Sequence, residues 1–98
     1  MRVVLRPEAR REISEAQAWY EARAVGLGFE FVRAVDAAIG KASRMPLAFP
    51  AIDADLRHVV LRRFPYSIVY HAALAELVVV ACFHHRRNPV DLARRDQG

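Results

Sequence analysis

Lysine is almost missing from this 98-residue chain. Lys41 stands alone beside 14 arginines, so nearly all the positive charge sits on guanidinium forks that suit phosphate and carboxylate oxygens. Cysteine is equally scarce: Cys82 has no internal disulfide partner, lies in an apolar run where it packs as a small hydrophobe, and fits a reducing cytoplasm. The longest apolar run, Leu77 to Phe83, is far too short to span a bilayer, and MRVVLRPEARR turns charged before a signal-peptide core forms. Neither an export signal nor a membrane anchor is therefore expected. Glycine and proline total nine residues and 54% of the chain is apolar, which rules out disorder. The length fits one domain, 1–98, in which 86–98 forms a polar, arginine-rich tail.

The net charge of +4 is unevenly placed. Met1 to Asp55 balances eight bases against eight acids, while Leu56 to Gly98 holds seven arginines against Glu76, Asp91 and Asp96. An anionic partner is implied for the second half, with nucleic acid, an acidic protein segment and a membrane surface all compatible.

Arg2 to Arg6 reads as a short strand that stops at Pro7, a residue suited to the first turn of a helix. Ala9, Ile13, Ala16 and Tyr20 recur at helical spacing, with Trp19 flanking them and Glu8, Arg11, Glu12, Glu15 and Arg23 at the other positions. Gly26-Leu27-Gly28 breaks that pattern, and a second helix follows on Leu27, Phe31, Val35, Ile39 and Ala42. So short a connection predicts an antiparallel helical hairpin. Met45 to Pro50 ends it, because each proline disfavours helix in the residue before it. Three strand-like runs follow: Leu56 to Arg62, Tyr66 to His71 and Leu77 to His84, joined by connections short enough for hairpins. Pro89 reads as a stop, with a helical turn at Asp91 to Arg95.

The predicted order is β-α-α-β-β-β. It makes an α+β domain whose helical hairpin covers one face of a small twisted antiparallel sheet and leaves the other face uncovered. Arg57, Arg62 and Arg63 flank the second strand, and His84, His85, Arg86 and Arg87 end the fourth, so some of them should converge on one end of the sheet. Such a set offers phosphate binding, charge stabilisation and a histidine acid or base, as RNA cleavage through a 2′-hydroxyl requires. Arginines at strand ends also protect sheet edges, so only the clustering speaks for a site.

Other chemistry lacks its signatures. His58, His71, His84, His85 and Cys82 show no paired ligand spacing, so no metal is expected, and no cofactor either: there is no nucleophile elbow, no phosphate loop and no dinucleotide fingerprint. Trp19, Tyr20, Tyr66 and Tyr70 sit at core spacings, although they could stack bases. Asp53 and Asp55 read as solvated loop acids.

Taken in order, Pro7-Glu8-Ala9, Ala18-Trp19-Tyr20-Glu21, Gly26-Leu27-Gly28-Phe29 before Phe31 and Val32, Arg57, Arg63-Phe64-Pro65-Tyr66 with Ile68-Val69-Tyr70, and His84-His85-Arg86-Arg87-Asn88-Pro89 resemble the RelE/ParE superfamily of bacterial toxins. The resemblance spans about residues 3 to 91. It implies the toxin of a type II toxin-antitoxin module, also called a plasmid-stabilisation toxin, which inhibits growth until a cognate antitoxin from an adjoining gene neutralises it. Two targets occur on this fold. The ParE-like branch blocks DNA gyrase, and for it the resemblance implies contact residues Arg57, Arg63, His84, Arg86 and Arg87. The RelE-like branch cleaves mRNA on the ribosome, for which Arg57, Arg62, Arg63, His84 and Arg86 are the candidate catalytic residues. Ser67 stands where the nuclease branch usually carries arginine and no tyrosine follows Tyr70, so the pattern is more similar to the ParE-like side. An inactive homologue that only binds antitoxin is the third reading.

Overall fold

In the computed structural model, which describes residues 1–86, the chain runs β1 (Arg2–Leu5), α1 (Pro7–Arg23), α2 (Leu27–Arg44), β2 (Arg57–Val60), β3 (Tyr66–Ala72) and β4 (Glu76–His84). The expectations for Arg87, Pro89, the turn at 91–95 and the rest of the tail lie outside the described residues. Two helices pack on a four-stranded sheet of order β1-β4-β3-β2, an α+β fold with the predicted element order. One pairing differs from the all-antiparallel sheet expected: β1 runs parallel to β4, from Arg2 beside Glu76 to Leu5 beside Val79. The helical hairpin carries the chain from the first strand back across the sheet, and such a crossover is the connection that parallel strands need.

Pro7 occupies the first turn of α1, where its missing N–H costs no hydrogen bond. At the hairpin, Gly26 takes φ 89°, a left-handed conformation open to glycine. Glu21 then reaches from the end of α1 to the start of α2: its carboxylate accepts the Gly26 N–H at 2.9 Å and the Gly28 N–H at 3.0 Å. A carboxylate at a helix N-terminus satisfies orphan donors and complements the helix dipole. Gly28 is buried because α1 passes close by; a Cβ there would lie 2.7 Å from the Gln17 carbonyl oxygen.

The main core lies between the hairpin and the sheet, with Phe31, Ile68, Tyr70, Leu77 and Val79 fully buried. Glu12, placed on the polar side of α1 by the sequence reading, is instead buried at 7% exposure. It sits three residues after Ala9 and four before Ala16, so it shares their face. Its role follows from where β1 ends. β1 pairs with β4 only as far as Val79, and Glu12 Oε1 accepts the Cys82 N–H at 3.1 Å farther along β4.

A bulge divides β4. Val69 pairs with Ala81 but Tyr70 pairs with Val79, leaving Val80 as an extra residue. Strict alternation would put Leu77, Val79, Ala81 and Phe83 on one face. The extra residue turns Cys82 and His84 toward the helices and leaves Ala81 and Phe83 on the far side. That far face is not bare as expected: Leu56, Val69, Val80, Ala81 and Phe83 form a second buried cluster, none more than 8% exposed. Leu56 is set by its loop, where Asp53 Oδ1 accepts the N–H groups of Asp55 at 2.9 Å and Leu56 at 3.1 Å. Asp53 is thus a turn former rather than a merely solvated acid.

Candidate functional site

The candidate residues fall into three places. Arg57 pairs in register with Tyr70, at the opposite end of β2 from Arg62 and Arg63. Its Nη1 donates to the Phe49 carbonyl oxygen at 2.8 Å, and the neighbouring Tyr70 hydroxyl donates to the Pro46 carbonyl oxygen at 2.7 Å. Both bonds tie down the proline-rich segment after α2. Burial raises the Tyr70 phenol above its ordinary pKa, and the Arg57 charge partly offsets this.

His84, Arg62, Arg63 and Arg86 share the other end of the sheet, where Tyr66 pairs with His84 and the His85 N–H bonds the Pro65 carbonyl oxygen at 3.0 Å. They do not meet at one point. Arg62 and Arg63 lie in the turn between β2 and β3 and line a groove against α2. His84 faces α1 instead, lining a groove of about 520 Å³ with Glu15, Trp19, Tyr20 and Tyr66. Its ring meets Tyr66 edge-on at 4.9 Å, and its Nδ1 accepts the Arg86 N–H at 3.1 Å, which in the neutral ring leaves the proton on Nε2. Arg86 is exposed, and Arg87 lies outside the described residues.

Beneath this end lies an aromatic cluster. Phe31 stacks on Tyr20 at 5.3 Å and meets Phe64 and Tyr66 edge-on at 5.3 and 5.2 Å, while Tyr20 meets Phe64 at 4.9 Å. Such offset and edge-on pairs contribute beyond their buried area. Tyr20, Phe64 and Tyr66, read in the sequence as parts of separate motifs, thus form one packed unit that supports the turn bearing Arg62 and Arg63. Trp19 is the exception, 52% exposed with the Arg23 guanidinium 3.8 Å above its ring. Burial also pushes up the Tyr20 phenol, with a smaller contribution from Cys82.

The far face holds a constellation not assembled from the sequence. Ser67, 5% exposed, places its Oγ 3.0 Å from His85 Nε2 and 3.4 Å from His58 Nδ1. A hydroxyl can donate to one neutral imidazole while accepting from the other. His58 and Ser67 come from neighbouring strands and His85 from just beyond β4, so only sheet register brings them together. The available signal was parity: His58 and Ser67 both fall on the face away from α1 and α2. Among the described residues no group of three or more His, Cys, Asp or Glu could hold a metal ion, and no helix is long and apolar enough to cross a membrane.

No family model matches the sequence, and no curated protein matches it significantly. Solved structures do match. One is described as the chromosomal ParDE TA system from P. aeruginosa; the likeness covers 86% of this chain and 95% of that one, with a TM-score of 0.62 at 14% identity. At that identity the likeness is one of fold: two helices on a four-stranded mixed sheet, shared with a chain of a toxin-antitoxin system.

Proposed function

We propose that this chain is the toxin of a type II toxin-antitoxin pair, acting in the cytoplasm and neutralised by an antitoxin encoded by an adjoining gene. The carrying observation is the fold likeness to the ParDE-system chain across nearly all of that chain's length. The sequence resemblance to RelE/ParE toxins points the same way. The α1 groove, with Trp19 half-exposed at its rim and Tyr20 and Tyr66 in its wall, suits an amphipathic partner segment.

For the target, the reading is a ParE-like block of DNA gyrase through Arg57, Arg63, His84, Arg86 and Arg87. The dispersal of the nuclease candidates supports it, since Arg57 sits at one end of the sheet while Arg62 and His84 face different grooves at the other. General acid-base catalysis needs its groups within hydrogen-bond reach of one scissile phosphate. RelE-like mRNA cleavage is kept as a second reading because His58 and His85 converge on Ser67.

Induction in a bacterial host, followed by parallel assay of plasmid supercoiling and mRNA ends, tests the target. Loss of supercoiling before any mRNA cleavage is expected; early codon-linked mRNA cuts would transfer the reading to the nuclease. Coexpression with the adjoining small gene should restore growth and yield a copurifying complex. If induction leaves growth untouched while the complex still forms, the chain is an inactive antitoxin-binding homologue.

A further inference from the structure

The groove between α2 and the β2–β3 turn gathers four cations that are only loosely engaged, Arg33 lying 5.9 Å from the centre of the Phe29 ring on its own helix. It is an open groove of about 460 Å³ lined by Arg33 and Lys41 on the helix and Arg62 and Arg63 on the turn, with Glu30 as the one acid among the described residues. Arg33, Ala37 and Lys41 follow one another at four-residue intervals, so the two helical cations stand about 12 Å apart along one face. Among the described residues Arg33, Lys41 and Arg62 have no carboxylate within ion-pair distance. Arg63 meets Glu30 at 3.9 Å with both side chains more than half exposed, a loose pairing that a stronger anion displaces. Arg63 also holds φ 70°, an unfavourable conformation for a residue with a Cβ.

We propose that this groove binds the oligophosphate of a nucleotide, the phosphates held by Arg33, Lys41, Arg62 and Arg63 and the nucleoside lying on the alanine floor. Four cations and one acid leave a charge of +3, which complements a di- or triphosphate. Ala34, Ala37 and Ala38 keep the helix side shallow where longer residues would fill the space, and the chain at Val60 borders the sheet side. The volume lies within the usual range for small-molecule sites. Glu30 closes the end nearest the start of α2 with negative charge, which favours a compact ligand over a phosphodiester strand that continues past it. The inference is independent of the toxin reading, since it rests on this groove alone.

Calorimetric titration of the purified full-length chain with ATP, pyrophosphate, adenosine and a twelve-nucleotide single strand tests it. ATP and pyrophosphate should bind saturably at one site and compete, while adenosine should give no measurable binding. Removing charge-assisted contacts in K41A/R62A should weaken ATP about tenfold or more, and Arg62→Gln alone should weaken it severalfold. Arg10→Ala, at an exposed arginine on α1, should leave the affinity unchanged, and circular dichroism checks that each variant is folded. The proposal is overturned if ATP and pyrophosphate do not bind, if their affinity is indifferent to Arg62→Gln, or if the single strand is the tighter ligand through the same residues.

Discussion

Replacing Glu12 isolates the contribution of a side chain that serves where no β1 residue does. Its carboxylate is buried and accepts the Cys82 N–H at 3.1 Å, on a stretch of β4 past the last β1 pair at Leu5 and Val79. Glu12→Leu keeps the bulk and removes the acceptor. A buried N–H left unsatisfied costs about 1 to 3 kcal/mol, so about 2 kcal/mol is expected. With a urea m-value of roughly 2 kcal/mol/M for a domain of this size, the unfolding midpoint should fall by about 1 M. Glu12→Gln retains an oxygen at the same position and exchanges a charge-assisted bond for a neutral one, so its loss should be about half as large. Urea unfolding of the three proteins, followed by circular dichroism, gives the ranking. If Glu12→Leu is as stable as the parent, or Glu12→Gln is the more damaging of the two, the carboxylate does not hold the strand and the reasoning fails.

Glu21→Ala should cost about 1 to 2 kcal/mol through loss of the cap on α2, with Glu21→Gln between it and the parent; chemical denaturation ranks them. Gly28→Ala and Gly40→Ala should shift the melting temperature in opposite directions. At Gly28 the new methyl meets the Gln17 carbonyl oxygen at 2.7 Å and lowers it, whereas at Gly40 the nearest atom is the movable Arg44 guanidinium at 3.4 Å and the helix gains up to about 1 kcal/mol. Tyr20 and Tyr70 have raised pKa values when folded, so the unfolded chain ionises first and stability should be lost as pH rises above about 10. Tyr70→Phe should be less stable than the parent at pH 8, lacking its bond to Pro46, yet lose less between pH 10 and 11. Parallel melting curves for the two would contradict that linkage.

The element order was legible because proline, paired glycines and helical spacing punctuate the chain plainly. Strand direction was not: nothing in Arg2 to Leu5 distinguishes a parallel neighbour from an antiparallel one, and β1 takes its direction from the crossover through the hairpin. Glu12 was misplaced because a charged residue on an apolar stripe reads as an outward one until the donor it meets, 70 residues away in sequence, is known. For the site, residue types were visible but their grouping was not. His84 and His85 are sequence neighbours, yet one faces α1 and the other meets Ser67, and Arg62 and Arg63 join Arg33 and Lys41 only through packing of the turn on α2.

The extra residue at Val80 makes β4 two strands in series with opposite phase. Leu77 and Val79 anchor β1 and the core, while Cys82, Phe83 and His84 present themselves to the groove and the far face according to a count restarted at the bulge. A lineage that gained one regularly paired residue between Ala81 and Cys82 would keep its anchoring half intact and exchange the faces of the residues beyond it, sending Phe83 inward and His84 outward in a single step. Diversification of surface chemistry on this scaffold therefore has a route through chain length as well as through substitution.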